Sequence, residues 1–217
     1  NGHNSCGEGA WSEVHRFQTV RWNQAFADDI EAGPDQWSHA AGPGADGWTI
    51  TTARSYSPTH AWFSPDVAVV TDNSLWNTDP FLVWHRYNLE AGMTTGYDGG
   101  VLELSSDGGN SWQDLGPFIV QNPYDYVIST SYGSPIAGRQ AWSGDSMTWQ
   151  EVIVDLSSFA GQDVQVRWRL ACDRSVADEG WYLDDVRIIA PIPPSDFDYE
   201  PCLLVGAAAH FTATVQG

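Results

Sequence analysis

The stretch Tyr97-Asp98-Gly99-Gly100-Val101-Leu102-Glu103-Leu104-Ser105-Ser106-Asp107-Gly108-Gly109-Asn110-Ser111-Trp112 decides how this chain folds. Val101, Glu103 and Ser105 alternate with Leu102, Leu104 and Ser106, the period of two that sends one set of side chains to a core and the other toward water. Asp107, Gly108, Gly109 and Asn110 then supply residues that accept positive φ and hydrogen-bond their own backbone, and Trp112 opens a returning strand. The expectation is a β-hairpin.

Ser105, Asp107, Gly109 and Trp112 stand at the spacing Ser-x-Asp-x-Gly-x-x-Trp, which is similar to the Asp-box, a turn repeated in sialidase propellers and found in other secreted β proteins. There the Asp accepts backbone N–H bonds and the Trp packs beneath the turn. A propeller needs one copy for each of several blades. This sequence holds one, so the motif reads as structural.

The rest of the composition agrees with a β protein. Twelve Trp, eight Tyr and eight Phe accompany 21 Gly and 12 Pro, aromatic residues suiting a half-buried pleated surface and Gly and Pro its turns. A length of 217 residues accommodates one large β domain with appendages or two small ones. Charge is lopsided: 28 acidic residues face nine basic ones, all Arg, for a net charge of -19. That balance excludes nucleic acid as a partner, because phosphate binding needs a basic face. It suits carboxylate clusters that hold hard cations such as calcium, although most of these carboxylates read as a solvated face. Cys6, Cys172 and Cys202 form an odd count without zinc spacing, read as one disulfide plus a free thiol or as a partner lost elsewhere. No apolar run is long enough to span a bilayer, and a start at Asn-Gly-His without a signal peptide reads as an excised piece of a larger exported protein.

Along the chain, residues 1–25 read as an N-terminal flank or linker, with an edge strand over Val14–Trp22. Residues 26–190 carry the strand text, and residues 191–217 read as a Pro/Asp-rich linker and the strand-like start of a following module. The strands expected within 26–190 include Phe81–Glu90, with Leu82, Trp84, Arg86 and Asn88 opposite Val83, His85, Tyr87 and Leu89. Another is Asp163–Ala171, in which Val164, Val166, Trp168 and Leu170 alternate with Gln165, Arg167 and Arg169. The loop-rich part from Gly116 to Asp145 is where a binding site is expected.

Together with the hairpin, Trp84-His85-Arg86-Tyr87, Val154 to Gly161, Val166-Arg167-Trp168-Arg169 and Gly180-Trp181-Tyr182-Leu183-Asp184-Asp185-Val186 resemble a jelly-roll, MAM-like domain. Secreted bacterial peptidases of the immune inhibitor A type carry it C-terminally, as do other exported multidomain proteins. The resemblance covers about residues 26–190. It implies an all-β, two-sheet antiparallel sandwich with long loops and little helix, whose first and last strands lie together around a structural calcium. It also implies a secreted or cell-surface, bacterial setting. The flanks fall outside it, and residues 66–82 are less regular than the corresponding strand pair.

Catalytic signatures are missing. The sequence has no His-Glu-x-x-His zinc helix and no Gly-x-Ser-x-Gly elbow. Gly144-Asp145-Ser146 is similar to the serine-protease nucleophile turn, but Met147 replaces the Gly that follows it there. His60 and His85 read as packed, hydrogen-bonded residues. For calcium, Asp184 shares parity with Val186 and Ile188, so its carboxylate is expected to point inward, where it needs a cation or several donors. Glu31, after Ile30, matches the acidic position of the first strand. Asp29, Asp185 and backbone carbonyls are expected to complete the shell.

The function expected is a non-catalytic extracellular accessory or adhesion module with structural Ca2+. One alternative is a carbohydrate-binding module using Trp62, Trp76, Tyr124, Tyr126 and Trp142. A second is a subunit of a surface assembly whose end segments add strands to neighbours. Partners are thus a glycan or a protein at the cell surface.

Overall fold

Gln165 to Cys172 forms the strand on which one face of the molecule is built. In the computed structural model Val166, Trp168 and Leu170 are fully buried while Gln165, Arg167 and Arg169 remain partly exposed, as a period of two requires. The structure describes residues 22–35, 37–77, 82–159, 162–191, 197–198 and 212–213. In chain order the strands are β1 (Trp22–Asp28), β2 (Ser38–Ala41), β3 (Thr49–Thr51), β4 (Ala61–Pro65), β5 (Thr71–Asn77), β6 (Leu82–Leu89), β7 (Gly99–Ser105), β8 (Gln113–Asp114), β9 (Ile119–Gln121), β10 (Tyr126–Val127), β11 (Gln140–Ala141), β12 (Gly144–Asp145), β13 (Gln150–Val154), β14 (Gln165–Cys172), β15 (Gly180–Pro191), β16 (Phe197–Asp198) and β17 (Thr212–Ala213). The helical content of the described residues is two 3-10 turns, Gly116–Phe118 and Ser157–Phe159.

Two antiparallel sheets carry the fold. One has eight strands in the order β3-β4-β15-β6-β13-β9, with β1 also on β15 and β12 also on β6; the other has five, in the order β2-β5-β14-β7-β8. The chain is therefore an all-β, two-sheet antiparallel sandwich. Backbone contacts group Gln24–Ile189 into one unit and Asn1–Asn23 with Ala190–Gly217 into another. In the second unit β16 pairs with β17. The rest of the expected strand-like C-terminal run, most of the Val14–Trp22 edge strand, Cys6 and Cys202 lie outside the described residues. Cys172 is free and buried.

The core lies between the inner faces. Leu75, Leu102, Leu104, Val166, Trp168 and Leu170 come from the five-stranded sheet, and Trp62, Val83, Tyr87, Leu89, Val152, Trp181 and Leu183 from the eight-stranded one. Each such side chain contributes about 1.5–3 kcal/mol by leaving water. Gly100 sits where a Cβ would come within 2.7 Å of the Trp181 ring, so the missing side chain lets the indole lie flat on β7. The expected strand at Phe81–Glu90 is β6, with Val83, His85, Tyr87 and Leu89 buried. His85 packs among Tyr87, Trp142 and Trp181, and burial lowers its pKa to about 3, so it is neutral.

Two expectations are corrected. Pairing of β15 with β6 shifts register between Asp184 and Arg187, and Asp185 has φ 47°, so side-chain parity changes across this bulge. Leu183 lies opposite His85 and faces the core, whereas Asp184 lies opposite Trp84 on the outer side. Its burial comes from the loop above it, not from the space between the sheets. The second correction concerns the Gly116–Asp145 loops. Ile128, Ile136 and Ala141 pack with Val101 and Ala171 as a second small core. This part of the chain covers one end of the outer face of the five-stranded sheet.

Candidate functional site

What those loops leave uncovered is a groove on that outer face. Residues directly opposite in antiparallel strands share a face, so Trp76, Arg167, Glu103 and Asp114 form one row across β5, β14, β7 and β8, with Ser74, Arg169 and Val101 in the next. The groove holds about 510 Å³ and is lined by Asp72, Trp76, Trp112, Gln165, Arg167 and Arg169, among others.

The polar groups of this face are fixed by one another. Glu103, 3% exposed, accepts from Arg139 at 2.5 Å, Arg167 at 2.7 Å and Arg169 at 3.3 Å. Arg169 also forks onto Asp72 at 2.7 and 2.8 Å, and Arg139 reaches Asp114 at 2.9 Å. Burial pushes the Glu103 carboxyl up, but the Arg139 hydrogen bond and the charges of Arg167, Arg169 and Arg139 outweigh it and hold it below the usual range. Three guanidiniums thus face three carboxylates, and the row is locally neutral in a chain of net charge -19.

One wall of the groove is the hairpin turn. Ser105 Oγ accepts the N–H groups of Asp107 and Gly109 at 3.3 and 2.8 Å and donates to Asp107 at 2.7 Å. Asp107 accepts the hydroxyl and N–H of Ser111 at 2.6 and 2.9 Å. These donors, the Ser111 hydroxyl first, lower its carboxyl to about 2. Trp112 ties its indole N–H to Gly109 O at 3.1 Å and carries the Arg167 guanidinium 4.1 Å above its ring. The cation–π contact fixes both side chains at the groove.

The expected ligand aromatics separate. Trp62 and Trp142 are 2% and 1% exposed and belong to the core, so neither can stack on a ligand; alternation along β4 turns Trp62 inward, and Trp142, bridged to Gly100, packs on His85 and Trp181. Tyr124 is half-buried and bonds Leu102 and Asp114, bracing the back of the Glu103 row, while Tyr126 is half-buried against Gly144. Trp76 lines the groove. Trp112, expected only to pack beneath the hairpin turn, joins it there, as do Arg167 and Arg169. The signal that finds the two Arg residues is their shared parity along β14 combined with its pairing to β5, which sequence alone does not give.

The expected calcium ligands divide as well. Glu31 accepts from Thr59 N–H at 2.9 Å, His60 N–H at 2.7 Å, the His60 ring at 2.9 Å and the Thr59 hydroxyl. The Thr59 hydroxyl and the His60 ring lower its pKa to about 2. Asp184 accepts the N–H groups of Tyr56, Ser57 and Asp185 at 2.6, 3.0 and 2.7 Å. Burial outweighs these bonds and lifts its pKa to about 6. Both carboxylates therefore grip the same loop, residues 56–60, with N–H and hydroxyl donors. Asp29 is exposed and accepts Glu31 N–H at 3.2 Å, and Asp185 is half-buried.

Acidic groups converge elsewhere. Among the described residues, Glu90, Asp98 and Asp173 bring ligand atoms within 4.8 Å of one another, as do Asp66, Asp98 and Cys172. Burial, followed by the neighbouring Asp66, raises the Asp98 carboxyl to about 10. The Cys172 thiol is pushed up by burial first. Ser146, in the protease-like turn, is 8% exposed and bonds the Tyr87 backbone through its hydroxyl, which gives it a structural role.

No family model matches this chain. Over 106 residues it is 29% identical to Bacillopeptidase F of Bacillus subtilis, covering 49% of this chain and 5% of the relative. Over 84 residues it is 34% identical to the pre-pro-metalloprotease PrtV of Vibrio cholerae serotype O1, covering 33% of this chain and 9% of the relative. The chain thus spans less than a tenth of either bacterial peptidase. Among solved structures, the K1 cleaved adhesin domain of Lys-gingipain from Porphyromonas gingivalis W83 aligns with 77% of this chain and 98% of its own, at 18% identity and a TM-score of 0.46. TmCBM61 in complex with beta-1,4-galactotriose aligns over 76% and 94%, at 9% identity and a TM-score of 0.42. At such values the fold rests on the strand pairing itself. No helix among the described residues is long and apolar enough to cross a membrane.

Proposed function

We propose that this chain is a non-catalytic binding module of a larger extracellular bacterial protein, and that it holds a glycan in the groove of the five-stranded sheet. The observation that carries this reading is the pairing of an aromatic wall, Trp76 and Trp112, with a floor of guanidiniums and carboxylates already neutralised by one another. A sugar ring offers an apolar face to an indole and hydroxyls to fixed donors and acceptors. An anionic ligand would find no net positive charge here, and nucleic acid would meet an acidic protein. Similarity to short segments of two bacterial peptidases supports an accessory place in an exported protein, in line with the MAM-like resemblance. A catalytic role has no support from Ser146 or from the buried, neutral His85.

The test is a glycan array followed by titration calorimetry with the best ligand. Trp76→Ala should abolish binding while leaving the melting temperature nearly unchanged, because Trp76 is half-buried on the outer face. An array without hits, or a hit whose affinity survives both Trp76→Ala and Arg167→Gln, overturns the glycan assignment.

A further inference from the structure

The four carboxylates Asp66, Glu90, Asp98 and Asp173 stand at one end of the sandwich. Asp66 and Glu90 directly follow β4 and β6 of the eight-stranded sheet; Asp98 directly precedes β7 and Asp173 follows β14 of the five-stranded one. Two carboxylates therefore come from each sheet. Asp66, Asp98 and Asp173 are 5%, 0% and 1% exposed, and among the described residues no ion pair joins any of the four to a basic group.

The three buried carboxylates share one pattern. Asp66 Oδ2 accepts the N–H groups of Glu90 and Asp178 at 3.1 and 3.0 Å, Asp98 Oδ1 accepts Asp173 N–H, and Asp173 Oδ1 accepts Ser175 N–H at 2.7 Å and its hydroxyl at 2.9 Å. The other oxygen of each, Asp66 Oδ1, Asp98 Oδ2 and Asp173 Oδ2, is buried without a hydrogen-bond partner. Glu90 completes the ring, with Oε2 accepting from Ser175 at 3.1 Å. An unpaired buried carboxylate oxygen is costly, and three of them together more so. N–H donors that hold one oxygen while leaving the other free are how ligating carboxylates are oriented.

From this geometry we infer that Glu90, Asp98 and Asp173, with Asp66 beside Asp98, bind a calcium ion that clamps the two sheets together at this end of the sandwich. Calcium takes six to eight oxygens at about 2.3–2.6 Å, so oxygens on opposite sides of it lie up to about 5 Å apart; the 4.8 Å span of the Glu90, Asp98 and Asp173 ligand atoms fits, and Asp66 stands within the same distance of Asp98. Backbone carbonyls and water supply the remaining positions. The Cys172 sulfur beside Asp98 stays a thiol, because burial disfavours the thiolate, and a hard cation does not select it. This placement differs from Glu31 and Asp184, whose oxygens are occupied by the 56–60 loop.

The test uses the purified chain, stripped with EDTA and titrated with calcium chloride by calorimetry, with parallel thermal melts. One site per chain is expected. Free calcium at a hundred times its dissociation constant should favour the folded form about a hundredfold. Asp98→Asn should lose the site, and Glu90→Gln, at the half-buried rim, should weaken it at least tenfold in a protein that still folds; Asp184→Asn should keep it. If the native protein gives superimposable melts in EDTA and in calcium, the inference fails. It also fails if Glu90→Gln and Asp98→Asn both titrate like the native chain. A melt indifferent to calcium that falls as pH rises past neutrality would assign the cluster to a shared proton instead.

Discussion

Replacing Glu103 with Gln keeps the shape of the side chain and removes the charge at the centre of the groove row. Glu103 is 3% exposed and serves Arg139, Arg167 and Arg169. Removing one partner of a buried ion pair costs about 3–5 kcal/mol. Arg139 keeps Asp114 and Arg169 keeps Asp72, whereas Arg167 loses the carboxylate it contacts, so the low end, about 3 kcal/mol, is expected. For a domain of this size that corresponds to a fall of about 6–12 °C in melting temperature. The pH dependence has a definite sign. A carboxyl held below its unfolded value of 4.5 contributes stability that is present above that pH and disappears as pH falls through the lower folded value. The gap between native and Glu103→Gln proteins should therefore be full at pH 7 and narrow as pH falls below about 4.5 toward the lower folded value, beneath which Glu103 is neutral in both states. Urea unfolding followed by Trp fluorescence at fixed calcium measures it. A loss under about 1 kcal/mol at pH 7, or a gap that does not change between pH 7 and pH 3, refutes the reasoning.

Gly100→Ala places a Cβ about 2.7 Å from the fully buried Trp181 ring, and should destabilise by about 1–3 kcal/mol through overpacking, read as a lower urea midpoint with an unchanged slope. Asp107→Asn leaves one acceptor oxygen where the Ser111 N–H and hydroxyl now use two; hydrogen exchange at Ser111 and its neighbours should accelerate, while calcium affinity stays at the native value.

The fold was legible because its central strands state their period openly. Val166, Trp168 and Leu170 against Arg167 and Arg169, and Val83, His85, Tyr87 and Leu89 in β6, are alternations that no helix would bury. The site was less legible for two reasons. A strand pattern shows which residues share a face, but not which strand lies beside which, so Trp76, Arg167 and Glu103 could not be aligned into one row without the pairing. The bulge at Asp185 then inverted the parity on which Asp184 had been placed inward; a single residue at φ 47° leaves little trace in a sequence where Asp-Asp is ordinary. The same blindness applies to Asp66, Glu90, Asp98 and Asp173. They flank four strands from two sheets, and only the stacking of those sheets brings them together.

The distribution of the nine Arg residues connects the two sites. Three of them, Arg139, Arg167 and Arg169, are committed to the carboxylates of the groove face. That leaves a neutral, rigid floor whose donors are already oriented, the condition under which binding a hydroxyl-bearing ligand loses least conformational freedom. The acidic end of the sandwich receives no such partner among the described residues, although its three Asp side chains are buried more deeply than Asp72 or Asp114. An Arg placed there would neutralise one carboxylate and leave the others facing one another, whereas a divalent cation meets Glu90, Asp98 and Asp173 at one point. It does so only where the cation is available. If calcium fills this position, folding is coupled to its concentration, and the two sheets are held together at this end where calcium is plentiful, while the groove, whose ion pairs are made among its own residues, keeps its geometry without it.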